Sequence, residues 1–434
     1  MAFLASDALN GRGSGTRDEW IAAAYLGSQM QEWGLEPLGD AGGFVQQIEI
    51  ERLETTAPPT LSVDGKKYTH GRDIRVQVLS AARVSGLLQK YSPGLAVKPG
   101  AVLLMPATPA TPATGASTAP TAGALGGSVT TGAAVVLTLE GPNAPKPPSG
   151  ARLPSPPPRF VGVDSRVGTR PTAVALGKDA YASISALAEG ATVVVEAEVK
   201  PGSKTQTWNA VGRLTGRVPK TAAEVILLSA HLDHVGARAA ANAAAGGDTI
   251  YNGADDDASG SVAVLELARA IALGPRPDRT IVFAFFGSEE SGGLGSRFFA
   301  DRPVVPLSQI VANLQFEMIG RPDAKIPPHT LWLTGYERST LGPALAKEGA
   351  QLVQDPHPEQ SFFTRSDNIQ FARRGVIAHT VSSYGLHKDY HQPSDEIRSI
   401  DFAHMTDSIR SMLKPILWLA NSGYKPEWRP GMRP

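Results

Sequence analysis

The sequence lacks cysteine, an excess of either charge and any long apolar run. None of its 434 residues is cysteine, which excludes disulfide bonds, thiolate zinc ligands and a cysteine nucleophile. Its 41 basic residues balance its 41 acidic residues, so the net charge favours neither nucleic acid nor an anionic membrane as a partner. No apolar run approaches the roughly 20 residues that a membrane span requires. We therefore expect neither a nucleic-acid partner nor a membrane span.

A recognisable export signal is also missing from the start of the sequence. The opening letters MAFLASDALNGRGSGT contain no charged segment followed by an apolar core. Because the sequence starts almost inside its first predicted element, we expect a periplasmic or secreted protein whose export signal has been removed. A cytoplasmic location is the alternative, and the absence of cysteine does not decide between the two.

The middle of the sequence differs in composition from both ends. Residues 56–204 are rich in Pro, Gly, Thr and Val, with the low-complexity string ATPATPATGASTAPTAG from Ala107 to Gly123 and proline clusters at 145–148 and 154–158. Such a segment predicts short strands joined by long loops. We expect a β-rich domain at 56–204, inserted into a catalytic domain that is formed by residues 1–55 and 205–434.

The sequence after Trp208 alternates between apolar runs and helical patterns. Strands are predicted at Val225–Ala230, Thr280–Phe286, Gln309–Phe316 and Val376–Ser382, and helices at Ser259–Leu273 and Met405–Ala420. Near-continuous apolar strands between helices predict an α/β fold with a mostly parallel mixed sheet flanked by helices. Pro415 is expected to kink or divide the last helix.

Metal-ligating residue types follow several of these strands. The pair Glu289 and Glu290 stands in GSEE after a buried strand, where two adjacent carboxylates are costly unless a cation or a reacting proton lies between them. Other donors stand in HLDH (231–234), in GADDDASG (253–260) and at Glu317 and His391. Ligands gather at the carboxyl ends of strands in open sheets. Imidazole and carboxylate donors of this kind suit two divalent ions of the zinc type.

Each motif alone has a simpler interpretation. The acids 255–257 before a helix are typical of an N-cap with favourable helix-dipole interactions, and a Glu pair at a helix start is commonly solvated. Tyr384, His387 and Lys388 are typical loop residues, structural or in contact with substrate. The occurrence of all the motifs in one order favours a metal site.

The motifs HLDHVG, GADDDASG, FFGSEESGGLGS, NLQFEMIG and YHQPSDE resemble, in that order, the co-catalytic zinc exopeptidases. This family includes aminopeptidase Y, bacterial leucyl aminopeptidases and glutamate carboxypeptidase. The resemblance implies the zinc exopeptidase fold, which is phosphorylase/hydrolase-like, and it covers about Leu4–Glu51 and Asn209–Asp401. Family members often carry a protease-associated domain, and the inserted region resembles a reduced or divergent one.

The resemblance also implies roles for individual residues. His231 and Glu317 would bind one zinc ion, Glu290 and His391 the other, and Asp256 would bridge the two. Glu289 would be the general base, with Asp233 orienting His231. Tyr390 matches a tyrosine that hydrogen-bonds the tetrahedral intermediate in some members. Glu317 stands where the family more often has Asp, and Asn368 where many members have His.

The implied activity is that of an exopeptidase with peptide substrates, most simply an aminopeptidase that uses metal-activated water. A glutamate-carboxypeptidase-like dipeptidase or carboxypeptidase uses the same centre and is the near alternative. A non-catalytic scaffold of the transferrin-receptor type and a single-zinc glutaminyl cyclase are further alternatives. The full set of metal-ligating residues argues against both of these.

Overall fold

The chain divides into two units in the computed structural model, which describes residues 1–107, 132–141, 153–163, 171–237 and 247–434. The first unit contains Met1–Glu49 and Thr205–Pro434, and the second contains Ile50–Lys204. Residues 108–123 of the low-complexity string and the proline cluster 145–148 lie outside the described residues. The sequence places the corresponding boundaries at 55/56 and 204/205.

Strands and helices are numbered in chain order. The strands are β1 (Glu36–Pro37), β2 (Val45–Thr55), β3 (Thr60–Val63), β4 (Lys66–Thr69), β5 (Ile74–Val78), β6 (Arg83–Lys90), β7 (Val102–Leu104), β8 (Val135–Leu139), β9 (Arg159–Phe160), β10 (Thr172–Leu176), β11 (Thr192–Glu196), β12 (Val199–Leu214), β13 (Val225–His231), β14 (Gly236–Ala237), β15 (Ile250–Tyr251), β16 (Thr280–Phe286), β17 (Ile310–Phe316), β18 (Leu331–Leu333), β19 (Leu352–Gln354) and β20 (Ala378–Ser382). The α-helices are α1 (Arg17–Glu32), α2 (Lys178–Ser185), α3 (Gly260–Ala272), α4 (Leu294–Asp301), α5 (Leu341–Lys347), α6 (Asn368–Ala372) and α7 (Phe402–Asn421).

The first unit is built on a mixed sheet with the strand order β19-β18-β20-β17-β13-β16-β12-β2, and β1 pairs with β12. Strand β13 runs parallel to both β16 and β17, and β17 runs parallel to β20. The pairs β12–β16 and β18–β20 are antiparallel. Every residue of β13 and β16 is buried, as expected for central strands that helices cover on both faces. The predicted mixed α/β fold is confirmed.

The helices of this unit bury one apolar face each. Helix α3 buries Ala263, Val264, Leu267, Ala268 and Ile271, at the spacing of one helix face. Helix α1 starts after Thr16, whose side chain accepts a hydrogen bond from the backbone N–H of Glu19 at 3.3 Å, which is an N-cap. Helix α7 runs through the buried Pro415 without being divided, and the kink expected as the other effect of Pro415 stays a prediction.

The second unit contains an eight-stranded sheet with the order β4-β3-β11-β6-β7-β8-β10-β5. Its core is formed by aliphatic residues such as Leu61, Val102, Leu137 and Val174. Helix α2 packs on β8 and β10 and was not predicted. The likeness of this unit to a protease-associated domain stays a prediction. In the part of the chain that the structure describes, none of the helices combines the length and apolarity needed to cross a bilayer.

Candidate metal centre

The parallel strands bring three groups of donors to one edge of the sheet. Strand β13 ends at His231, which is paired with Phe286 at the end of β16, and Glu289 and Glu290 follow three and four residues later. On the other side of β13, Ser229 is paired with Gln315, so Glu317 follows β17 at the level of His231. The carboxyl ends of neighbouring parallel strands meet at the same edge, and the predicted donors therefore converge there.

Asp256 lies in a turn, Ala254–Ser259, that precedes α3. The acid on its carboxyl side, Asp257, accepts hydrogen bonds from the backbone N–H groups of His231 (3.2 Å), Gly260 (2.9 Å) and Met318 (3.0 Å). Asp257 therefore ties together the turn and the ends of two strands. Its contact with Gly260 is the capping role that the simpler interpretation predicts.

Four side chains form a tight cluster of donors: His234, Asp256, Glu290 and His391. Nε2 of His391 lies 3.1 Å from Oδ2 of Asp256 and 3.1 Å from Oε1 of Glu290. Nδ1 of His234 lies 2.9 Å from the same Glu290 oxygen and 3.8 Å from Oδ2 of Asp256. Three of these four residues are among the predicted metal ligands, and His234 is an addition.

The donors of this cluster point at one another without forming hydrogen bonds. Among the described residues, no hydrogen-bond partner exists for either ring nitrogen of His234, for Oε1 of Glu290 or for Nε2 of His391. Buried polar atoms almost always have a partner, and orphaned donors that converge on one point fit a cation. Two imidazoles and two carboxylates are also chemically suited to a divalent ion of the zinc type. The residues therefore fit the implied metal.

The remaining predicted ligands lie on the other side of Asp256. Nε2 of His231 is 3.1 Å from Oδ1 of Asp256, so the two carboxylate oxygens face different histidines. Burial raises the pKa of Glu317 to about 7, with a contribution from Asp256 and an opposing one from His231. Oε2 of Glu317 is buried and has no hydrogen-bond partner in the described part of the chain.

Asp233 contacts both His231 and the predicted general base. Nδ1 of His231 lies 3.1 Å from the backbone oxygen of Asp233 and 3.6 Å from its carboxylate. The carboxylate itself accepts a hydrogen bond from the backbone N–H of Glu289 at 2.9 Å and another from Ser14 Oγ at 2.6 Å. Asp233 therefore positions the main chain of Glu289 and also contacts Nδ1 of His231.

The pKa values of several acids and of His391 are shifted when no ion is bound. Burial raises the pKa of Glu289 well above its ordinary value, and Asp367, Glu317 and Glu290 raise it further, against the effect of His231. Burial alone would lower the pKa of His391, but the carboxylates of Asp256 and Glu290 outweigh it and raise this pKa to about 10. A bound cation would replace these shared protons.

Aromatic side chains line the site beside its last ligand. The ring of Tyr390 stacks on that of His391, with 4.0 Å between centroids and an interplanar angle of 19°, and Tyr384 lies 5.4 Å from Tyr390. These tyrosines belong to an apolar cluster that also contains Met318, Ile326, Trp332, Val353 and Phe362. The site therefore has one charged side and one apolar side.

The loop that carries His391 is attached to the turn that carries Asp256. Nε2 of His387 lies 2.9 Å from a carboxylate oxygen of Asp255. Asp395 accepts hydrogen bonds from the backbone N–H groups of Asp255 and Asp256, each at 3.1 Å. Local sequence identifies His387 only as a loop residue and gives no signal at Asp395. Each of these residues contacts Asp255, from which it is about 130 to 140 residues away in the chain.

The N-terminal segment supports the site through two buried charges that the sequence analysis missed. Arg12 donates to the backbone oxygens of Leu232 (3.0 Å), Asn252 (2.5 Å) and Gly253 (3.1 Å), and so joins the two loops on either side of the centre. The carboxylate of Glu19 accepts from the backbone N–H of Ser288 at 2.7 Å, next to Glu289.

Asn368, which by the resemblance stands where many members have His, lies at the start of α6 and is wholly buried. Its side chain donates to the backbone oxygens of Phe363 (3.2 Å) and Ala378 (3.4 Å) and accepts from Thr380 Oγ1 at 3.0 Å. In this chain the residue therefore fastens α6 to β20. Its neighbour Asp367 accepts from Gln315 Nε2 at 3.2 Å.

Comparison with known proteins agrees with this geometry. Residues 209–414 match the family model of Peptidase family M28. The matched range spans 206 of the 434 residues and lies within the first unit. It contains every metal-ligating side chain described above, and the resemblance that the motifs carry is confirmed.

Two relatives among curated proteins are named aminopeptidases. Leucine aminopeptidase 2 of Trichophyton equinum is 28% identical over 216 residues, which cover 48% of this chain and 40% of the relative. A probable lipoprotein aminopeptidase of Mycobacterium tuberculosis is 30% identical over 126 residues, which cover 29% of this chain and 23% of the relative. The chain thus spans less than half the length of either relative.

A solved M28-like structure matches nearly the whole chain. The zinc aminopeptidase BSAP of Bacillus subtilis superposes with a TM-score of 0.51 at 18% sequence identity, covering 97% of this chain and 93% of that protein. At this level of identity the match establishes the shared fold.

Proposed function

We propose that the protein is a zinc-dependent aminopeptidase, which hydrolyses the first peptide bond of its peptide substrates. The observation that carries the proposal is the convergence of unpaired imidazole and carboxylate donors around Asp256. A binding scaffold without activity would have no need for these buried, unpaired donors, whose burial disfavours folding. The aminopeptidase names of the two relatives support the same activity.

Two ions are proposed, one on each side of Asp256. His231 and Glu317 would hold the first, Glu290 and His391 the second, and the two oxygens of Asp256 would bridge them. When bound, such a pair of ions lowers the pKa of water and polarises the substrate carbonyl. Asp233 would keep His231 oriented through the contact at Nδ1.

Glu289 is the proposed general base. Its backbone is held by the carboxylate of Asp233 at 2.9 Å, and its pKa is raised by burial and by neighbouring acids, as suits a group that first accepts and then releases a proton. Glu289 takes a proton from the attacking water as the carbon–oxygen bond forms. It then gives that proton to the leaving nitrogen as the carbon–nitrogen bond breaks. Tyr390 is proposed to hydrogen-bond the tetrahedral intermediate.

The charge of the site favours an amino terminus over a carboxyl terminus. Glu317 and Asp367 lie close enough to Glu289 to raise its pKa, and Asp367 raises the pKa of Glu317 as well. When they are ionised, these neighbouring carboxylates create a negative potential. A peptide's N-terminal ammonium is attracted by such a potential, whereas a C-terminal carboxylate is repelled. The apolar cluster on the opposite side suits an apolar side chain at the substrate's first residue.

A periplasmic or secreted location is proposed for this peptidase. The name of the mycobacterial relative, a lipoprotein aminopeptidase, supports it. Fractionation of the source cells, followed by immunodetection of the protein, tests this location.

A substrate panel tests the activity. We expect hydrolysis of aminoacyl p-nitroanilides and of short peptides with a free N-terminus, loss of activity with a chelator, and recovery when Zn²⁺ is added back. Peptides with an acetylated N-terminus should be resistant. Hydrolysis of acetylated peptides from the C-terminal end would instead establish the carboxypeptidase alternative, and inactivity of the zinc-loaded protein on every substrate would contradict both.

A further inference from the structure

His234 is a buried histidine whose ring nitrogens form no hydrogen bonds with the described residues. Its exposed fraction is 0%, and both ring nitrogens lack a hydrogen-bond partner among the described residues. The other wholly buried histidine away from the site, His379, makes two hydrogen bonds of 2.7 Å, to Thr334 O and Ser339 Oγ. A buried imidazole with no partner is costly to fold, so the difference calls for a ligand at His234.

His234 has two contacts with main chain, one through its ring and one through its own backbone. A Cβ atom added to Gly253 would lie 2.5 Å from two atoms of the His234 ring, so the glycine backbone packs directly against it. The backbone N–H of His234 donates to the carbonyl of Arg12 at 3.1 Å. The close packing on Gly253 and the anchored backbone help to position the ring of His234 in the donor cluster.

The distances within the cluster are compatible with four ligands of one ion. Four ligands at zinc bond lengths of about 2.0–2.1 Å in a tetrahedron lie about 3.3 Å from one another. Nδ1 of His234, Nε2 of His391, Oε1 of Glu290 and Oδ2 of Asp256 are separated by 2.9, 3.1, 3.1 and 3.8 Å in the four pairs measured. Nδ1 of His234 and Oε1 of Glu290 are 2.9 Å apart, yet they do not form a hydrogen bond with each other. This is expected when both atoms point at a bound ion.

We propose that His234 is an additional metal ligand, so that the two halves of the proposed centre are unequal. The half with His234, His391, Glu290 and Asp256 has four protein donors, which is the number of a closed zinc site. The half with His231, Glu317 and Asp256 has three, which leaves an open position for substrate. The proposal rests on the proposed metal centre, and it assigns tight, retained metal to the first half and exchangeable metal to the second.

X-ray absorption of the wild-type protein tests the ligand count directly. With one equivalent of Zn²⁺ added to the metal-free protein, the first ion should enter the four-donor half and show two imidazole ligands. If the ion shows a single imidazole, His234 is not a ligand and the proposal is wrong. This measurement needs no variant and no substrate, so it is independent of whether the protein proves to be an aminopeptidase.

Calorimetric Zn²⁺ titration of His234→Ala tests the same assignment by affinity. The tighter of two binding events should weaken by more than about 100-fold, beyond the 10- to 100-fold that the loss of an outer-shell partner costs, while the weaker event changes little. His234→Asp should recover part of the lost affinity, since a carboxylate can replace imidazole as a donor. The matched control is His329→Ala, which removes a half-buried histidine paired with Asp407 and should bind both ions normally.

The result separates the two proposals. Unchanged titration of a folded His234→Ala variant would overturn the ligand role of His234 even if the enzyme hydrolyses peptides. Loss of the tight event would support this role even if no peptide is hydrolysed.

Discussion

The two units of the chain bury very different side chains. In the described residues of the second unit, the buried polar side chains are Gln89 and Thr172, both uncharged and both hydrogen-bonded. The first unit buries many ionisable side chains. Six of them lie between residues 231 and 257: His231, Asp233, His234, Asp255, Asp256 and Asp257. Burial of such groups opposes folding unless they are paired or ligated, so their concentration is consistent with the proposed metal centre.

The comparison also separates two uses of a polar interior. Thr172 and Gln89 complete hydrogen bonds to neighbouring loops, which is a matter of stability. Donor atoms of His234, Glu290 and His391 have no hydrogen-bond partner among the described residues, which leaves their lone pairs available to an ion. Changes in the first unit are therefore expected to alter metal binding or turnover, and changes in the second unit to alter stability alone.

The largest effect is expected from Asp256→Ala. Asp256 contacts His231, His234 and His391, so its removal affects both halves of the proposed centre. We expect loss of bound metal after dialysis and a fall in kcat/KM greater than the about 10²- to 10⁴-fold of a missing general base. Metal content is measured by atomic emission; retention of two ions would contradict the bridging role.

Glu289→Ala should separate metal binding from turnover. We expect full metal content and a fall in kcat of about 10²- to 10⁴-fold, because the proton of the attacking water loses its acceptor. Normal hydrolysis by a fully loaded variant would show that Glu289 is not the base. Asp278→Ala, which removes a partly buried acid of the same unit that is paired with Arg217, is the control.

Removal of metal should destabilise the first unit selectively. Ligands that bind only the folded state at about 100 to 1,000 times their Kd add about 3 to 4 kcal/mol. After chelation, amide hydrogen exchange should therefore increase in β13 and β16 and stay unchanged in β8 and β10. An equal increase in hydrogen exchange in both sets of strands would show that bound metal does not stabilise the first unit selectively.

His379 predicts a pH dependence that is independent of metal. Burial lowers the pKa of His379 to about 4, from 6.5, so the unfolded state binds a proton more readily than the folded state. Stability from this group is present above pH 6.5 and is lost as the pH falls toward 4, by up to about 3 kcal/mol. Urea titrations across this range should show the loss in the wild type and a weaker dependence in His379→Gln. An identical dependence in both proteins would contradict the prediction.

The smallest effect is expected in the second unit. Thr172→Val removes the hydroxyl that accepts from the backbone N–H of Ser80 at 3.0 Å, and the loss should cost about 1 to 2 kcal/mol of unfolding free energy. Metal content and kcat/KM should stay at the wild-type values. A change in either would show that the second unit participates in the chemistry.

Much of the fold was predictable because its strands carry strong local patterns. The run from Thr280 to Phe286 is apolar at every position but the first, and its predicted bounds match β16. Helix α2 was missed because its eight residues are too few for a clear periodicity. Pro415 does not divide α7, because the packing of this helix against the core outweighs the missing hydrogen bond at one residue.

The candidate site was predictable to the extent that its residues stand in ordered motifs. His234 stands in the motif HLDH, but it lies three residues beyond the end of β13. The direction of its side chain therefore cannot be inferred from strand alternation. That direction depends on Gly253 and on the carbonyl of Arg12, which are distant in the chain. The buried charges Arg12 and Glu19 were missed for the same reason.

The sequence alone determined the strand and helix pattern, the absence of thiol chemistry and the residue types from which a metal centre can be built. These follow from composition and from periodicity over a few residues. Only the tertiary structure decided which donors share an ion, because that depends on side-chain directions at strand ends and on contacts such as Arg12 to Asn252, 240 residues apart. Local sequence sets what each segment prefers, whereas the packing of distant segments sets which unpaired atoms meet.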